Sequence, residues 1–288
     1  MTLVLLTLVS LLIWVHLAAV ALLARSVVGS YAMARIGGGL AVMLGLFCLE
    51  HFVGLGARPP VVILTAPLCL WLIWRQRAVL QEHRQVEVMF ALGFFYCLAW
   101  RCAFPDIDLE AERIPDLVFI QDYMTGGKLP AMDRWLPPFD VSFYYGFQHY
   151  AAAWIARGLG VDSGVAYHLG FSVLVGLVTA AAGSAVRVIC AWKPAPYLVI
   201  LALLVGGNGI SVGLPALLQK GPELFQSSRF LGFHVGDHEW NALGRAIGWT
   251  FNPGPDELAP EFPMDAFSYL IYIGEYHPPL FGFLLLGL

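Results

Sequence analysis

Leu3-Val-Leu-Leu-Thr-Leu-Val-Ser-Leu-Leu-Ile-Trp-Val-His-Leu-Ala-Ala-Val-Ala-Leu-Leu23 contains no acidic or basic side chain apart from one histidine, His16. At about 1.5 Å of rise per residue, a helix of this length crosses the roughly 30 Å hydrocarbon core of a bilayer. The run reads as a retained span, because no basic segment follows Met1 and the apolar stretch is longer than that of a cleaved signal peptide. The remaining composition agrees: 59% of residues are hydrophobic and 12% charged, with a mean hydropathy of +0.72. Soluble domains hold roughly half apolar residues. A multispanning membrane protein is expected.

Further apolar runs cover residues 36–56, 61–74, 88–100, 144–159, 164–186 and 196–218. They are continuous and lack the period-two alternation of barrel strands, so helices are predicted. The expected fold is all-α, a polytopic transmembrane helical bundle with a large external loop containing short amphipathic helices. Five segments follow: N-terminal transmembrane helices over 1–103, an external acidic loop over 104–142, transmembrane or re-entrant helices over 143–218, a second external loop over 219–277, and the start of a further helix over 278–288. That last run is too short to span, so a fragment of a longer protein is expected, the alternative being a helix that ends half way and needs a partner.

The net charge of −4 comes without a basic stripe, which sets nucleic acid aside as a partner. Cys48, Cys69, Cys97, Cys102 and Cys190 show neither CxxC nor zinc-like spacing and read as buried small hydrophobes. Arg25 and Arg35 flank one connection, and Arg75, Arg77 and Arg84 crowd another two spans later. The positive-inside rule makes both cytoplasmic, so the N-terminus and residues 104–142 are expected outside the cell membrane. Arg187 and Lys193 look cytoplasmic as well, although two apolar segments separate them from the external loop. Simple alternation then fails. Either residues 144–159 do not cross, or residues 196–218 form a hairpin broken at Gly206-Gly207-Asn208-Gly209.

The loop at 104–142 holds eight acids, Asp106, Asp108, Glu110, Glu112, Asp116, Asp122, Asp133 and Asp140, against three bases. Asp106-Ile-Asp108 puts two carboxylates on one side of an extended chain, able to share Mg2+ or Mn2+ with phosphate oxygens. Solvated loop acids are the simpler account of the same residues. Glu112 and Asp116 share a face if the stretch is helical, but Pro115 argues against a helix preceding it. Asp116 enters the apolar run 117–120, where it serves either as a desolvated base or as an N-cap. Residues 114–124 suit a short amphipathic helix on the membrane surface, ended by Gly126-Gly127.

Asp133-Arg-Trp135 and Phe143-Tyr144-Tyr145 form an aromatic and polar patch, suited to an interfacial belt or to stacking on a sugar. His149 lies one turn further on, where a polar group needs a partner. Glu50-His51 reads as an interfacial pair. Glu275-Tyr276-His277 supplies an acid and a cation donor at the end of the second loop, and Asp237-His238-Glu239 is a further cluster.

These motifs resemble a family of uncharacterised bacterial and archaeal multispanning proteins named for a Tyr-Tyr-Tyr (YYY) motif, which are grouped with the GT-C membrane glycosyltransferases. The resemblance covers residues 105–185 and 262–288. It rests on Glu112-Arg113-Ile-Pro-Asp116, Asp133-Arg-Trp135, Phe143-Tyr144-Tyr145 with His149-Tyr150, and Glu275-Tyr276-His277-Pro278. Here the tyrosine triplet is Phe-Tyr-Tyr, and Pro279 stands where relatives carry a second histidine, which does not support a two-histidine metal site.

The resemblance implies a GT-C-like glycosyltransferase that moves a sugar from a polyprenyl-phosphate donor in the membrane lipid to an acceptor on the external face. It implies Asp116, Glu112, Glu275 and His277 as catalytic groups. Arg113, Asp133, Trp135, Tyr144, Tyr145 and His149 would bind substrate, and Asp106 and Asp108 would hold any metal. A non-enzymatic membrane protein, transporter-like or a scaffold subunit, is the alternative. A transporter would place ionisable groups at mid-span, where His168 is the clearest example.

Overall fold

Arg84–Ala103 and Ser163–Ile189 are packed along each other in the computed structural model, which describes residues 3–107, 113–141, 146–205, 267, 270–271 and 274–276. In chain order the helices among the described residues are α1 (Leu3–Val28), α2 (Tyr31–Glu50), α3 (Val61–Arg75), α4 (Arg77–Glu82), α5 (Arg84–Ala103), α6 (Arg113–Tyr123), α7 (Phe147–Leu159), α8 (Ser163–Ile189) and α9 (Ala195–Val205). The described fold is all-α; one isolated bridge, Met132 to Asp140, is its only strand-like pairing. α1, α2, α5 and α8 are long and apolar enough to cross a membrane. Their outward side chains, such as Leu8, Leu44, Leu92 and Phe95, are exposed hydrophobics, as a lipid-facing surface requires.

Two compact units divide the chain, residues 1–196 with 275–288 and residues 197–274. In the second, Phe267, Leu270 and Ile271 are buried, and the Gly274 amide donates to Leu270 O at 2.9 Å. The first unit is built around the packed pair α5 and α8. Small residues let α5 and α8 approach closely: a Cβ on Gly93 would lie 2.2 Å from Thr179 Oγ1, and one on Gly176 would lie 2.8 Å from the Phe90 ring. Thr179 Oγ1 donates across the seam to Met89 O at 2.9 Å. Near the other end His168 Nε2 meets Pro105 O at 3.0 Å. The two helices are therefore antiparallel, with the end of α5 beside the start of α8.

Local chemistry sets the helix ends. Ser30 caps α2 through Met33 N, and Asp162 caps α8 through Val165 N at 2.8 Å. α7 stops at Gly160, whose φ of 68° is the left-handed conformation that glycine adopts at no steric cost. α6 starts at Arg113 in spite of Pro115, because proline in a first turn gives up an amide that has no helical partner.

Several expectations are corrected. The run at 144–159, which the charges left either crossing or not, holds the 13-residue α7, roughly 20 Å long and shorter than a bilayer core. α2 starts at Tyr31, so Arg35 lies inside a helix and is buried against Glu87. Glu50 pairs with Arg157 and not with His51, whose ring is exposed and turned to Phe47 O. α6 is packed against α7 and α8 and buries Asp116, Ile120, Asp122 and Tyr123. Cys97 alone among the cysteines is buried; Cys48 and Cys102 are exposed on membrane-length helices. The glycine-rich break at 206–209, the aspartate-histidine cluster at 237–239 and nearly all of the second loop lie outside the described residues.

Candidate functional site

α6 and α7 bring Asp116 and His149 together at the end of the bundle where α5 finishes and α8 begins. Each occupies the first turn of its helix. Asp116 Oδ1 and His149 Nε2 are 2.7 Å apart, with side-chain exposures of 3% and 0%. Towards an ionised Asp116, Nε2 is the ring nitrogen that carries the proton, since a carboxylate only accepts. The second oxygen, Oδ2, accepts from the Tyr276 backbone amide at 2.8 Å and faces the Tyr167 hydroxyl at 3.5 Å. The carboxylate thus ties together three stretches of chain that are far apart in sequence.

Aromatic rings enclose the pair. The Tyr276 ring lies 5.3 Å from that of His149 and stands edge-on to Tyr167 at 5.0 Å and to Phe171 at 5.6 Å. Tyr276 Oη donates to Tyr167 O at 2.6 Å, and Gln148 Nε2 donates to Tyr276 O. Gly170 makes room for that hydroxyl, which would sit 2.6 Å from any Cβ there. Phe119 closes the other side, edge-on to His149 at 5.5 Å.

A second buried pair lies on the same side of the bundle. Arg157 holds Glu50 through both oxygens, Nη1 to Oε2 at 3.0 Å and Nη2 to Oε1 at 2.5 Å. Its Nε and Nη2 also donate to Gly56 O, at 3.0 and 2.7 Å, and its guanidinium lies 4.5 Å from the centre of the Trp154 ring. Where α1, α2 and α5 meet, Glu87 accepts from Trp14 Nε1 at 2.6 Å and Tyr31 Oη at 2.7 Å and pairs with Arg35.

A family model for uncharacterized membrane proteins (DUF2298) matches residues 40–286. The chain belongs to this family. No curated protein and no solved structure matches it. Asp116, His149, Tyr167 and Tyr276, and the Glu50–Arg157 pair with them, all fall within the DUF2298 match, and membership places the protein in a membrane.

Of the residues singled out in the sequence, Asp116 and His149 are joined. Glu275 is buried next to Tyr276. Arg113 Nη1 donates to Asp106 O at 3.2 Å, so the guanidinium grips the backbone of the loop it leaves. Asp133 and Trp135 belong to a surface turn over residues 131–141: the Asp133 carboxylate accepts from Trp135 N at 2.7 Å and Leu136 N at 3.2 Å, and Trp135 is exposed. Asp108, Glu112, Tyr144, Tyr145 and His277 lie outside the described residues. Among the described residues no three His, Cys, Asp or Glu side chains form a metal-binding group. With Asp108 outside them, the Asp106–Asp108 pair supplies no donor set through which to route a step.

Sequence reasoning missed Tyr167, Gln148, Glu50 and Arg157 as partners. Gln148 carried one signal, a polar side chain directly before His149 in an apolar run. Asp122 is the second buried acid of α6, and Arg134 Nε lies 3.2 Å from its Oδ1. Burial pushes its carboxyl up from 3.8 to about 6, against the opposing pull of Arg134.

Proposed function

We propose that the protein is an integral membrane glycosyltransferase of GT-C type, related to the YYY-motif proteins, that transfers a sugar from a polyprenyl-phosphate donor to an acceptor hydroxyl on the external face. The observation that carries this reading is the buried Asp116–His149 pair, 2.7 Å apart at one end of a membrane bundle. Ionisable groups held out of water inside such a protein are costly, and they mark function more often than stability. Asp116 takes the proton of the acceptor hydroxyl as that oxygen forms its bond to the anomeric carbon. The bond from that carbon to the phosphate oxygen breaks, and polyprenyl phosphate leaves with the electron pair. His149 keeps the carboxylate oriented and shares the proton.

Arg113 and His277 bear on the departing phosphate, and Glu112 and Glu275 are the remaining acids of the site. Tyr144, Tyr145 and Trp135 offer rings to the sugar. A divalent ion on Asp106 and Asp108 would neutralise phosphate charge, and no step depends on it.

The test uses full-length protein in lipid nanodiscs with a radiolabelled sugar on polyprenyl phosphate. D116N and H149F should each lower transfer by ~100-fold or more. Wild-type transfer by D116N would overturn the assignment. Complete burial of both side chains favours a second reading, in which the pair only fastens residues 275–276 to the bundle of a non-enzymatic scaffold. That reading predicts a fall in thermal stability with no transfer in any form, wild type included.

A further inference from the structure

The two helices that carry the Asp116–His149 pair are both anchored to one short segment, residues 50–56. Arg157 lies eight positions after His149 on α7, two turns or about 12 Å along a continuous helix. Its planar fork grips the Glu50 carboxylate and the Gly56 carbonyl together. α6 reaches the same segment through the turn that follows it. Leu129 N donates to Glu50 O at 2.8 Å, and Gly56 N donates to Gly126 O at 2.9 Å. Gly126, with φ 65°, lets the backbones touch, since a Cβ there would lie 2.1 Å from the Gly56 carbonyl carbon. Tyr150, next to His149, packs edge-on against Phe47 of α2 at 5.0 Å and Tyr123 of α6 at 5.6 Å.

We propose that Glu50 and Arg157 are positioning residues: they fix the register of α7, and with it the His149 ring, against the helix that carries Asp116. Stability alone does not call for such a pair, because apolar side chains of similar size in place of a buried ion pair are often as stable or more so. What apolar side chains lack is direction. A guanidinium that meets two oxygens of one residue and a carbonyl of another permits a single placement of its helix. A 2.7 Å contact between two buried rigid groups depends on that placement. Only the activity part of this inference rests on the glycosyl-transfer reading.

The test follows the ring nitrogens of His149 by NMR in the full chain, labelled at histidine, with the signal assigned as the one missing from H149F. D116N gives the reference for a His149 uncoupled from its acid. R157K keeps the charge on Glu50 but loses the fork, and the double variant E50M/R157M removes both charges. E50M/R157M should keep a thermal midpoint near that of wild type while R157K loses part of it, and both should move the His149 signals toward the D116N position and lower kcat for sugar transfer by ~10-fold or more with KM little changed. His149 signals that superimpose on wild type in both variants would overturn the proposal. So would unfolding of the double variant together with a wild-type His149 in R157K. If the signals move but wild type transfers no sugar, positioning stands and the glycosyl-transfer reading falls.

Discussion

Asp116 and Asp122 sit six residues apart on one short helix, yet their surroundings differ. Asp116 receives an imidazole and a backbone amide, whereas Asp122 is fully buried and faces a half-exposed Arg134. Burial dominates for Asp122, which holds its proton up to about pH 6 against an ordinary 3.8. Between those values the folded state binds more protons than the unfolded chain, so stability is greatest below the lower one and falls as pH rises through the higher. Ionisation of this single group removes on the order of 2–3 kcal/mol by neutral pH. Thermal melts of the detergent-solubilised protein should show a midpoint that declines from pH 4 to pH 7, and D122N should flatten that part of the curve. A D122N profile parallel to wild type would assign the dependence elsewhere. Single residues of the site were legible in sequence where polarity stood out against an apolar run, as for His149. The Tyr276 amide was not: a backbone donor 160 positions from its acceptor has no side-chain signature.

At the level of elements, the apolar runs announced helices but misplaced some ends. Arg35 looked like a loop charge because its neutralising partner, Glu87, lies 52 residues away on another helix. Whether the run at 144–159 crosses stayed open in the sequence because apolar content says nothing of what a short helix packs on, and α7 packs on α6 and α8. The seam between α5 and α8 is the element contact most open to test. Thr179 Oγ1 and Cγ2 would lie 2.2 and 2.8 Å from a Cβ at position 93, and that hydroxyl is already engaged by Met89 O. G93V should therefore cost about 1–3 kcal/mol through overpacking and lower the thermal midpoint. G93A combined with T179A, which removes the two nearest atoms, should recover part of what G93A alone loses. A G93V protein as stable as wild type would mean that the helices do not meet there.

For the whole molecule, the antiparallel course of α5 and α8 is the arrangement expected if residues 144–159 do not cross. α5 runs toward the acidic loop, the Asp116–His149 contact of α6 and α7 lies at that end of the bundle, and α8 runs back along α5. Arg187, in the last turn of α8, lies at the end of the bundle where α5 begins at Arg84, and the positive-inside rule predicts that this end, with Arg75 and Arg77, is cytoplasmic. The buried Asp116–His149 and Glu50–Arg157 pairs fall at the opposite end, where an external acceptor would arrive. This orientation is tested in intact cells with a membrane-impermeant thiol reagent on a protein whose five cysteines are replaced. L136C, on the exposed turn after α6, should be labelled from outside. A78C in α4 and W192C after α8, both exposed, should react only once the membrane is permeabilised. Labelling of positions 136 and 192 from the same side would mean that α8 does not bring the chain back across, and the site would lose its external face.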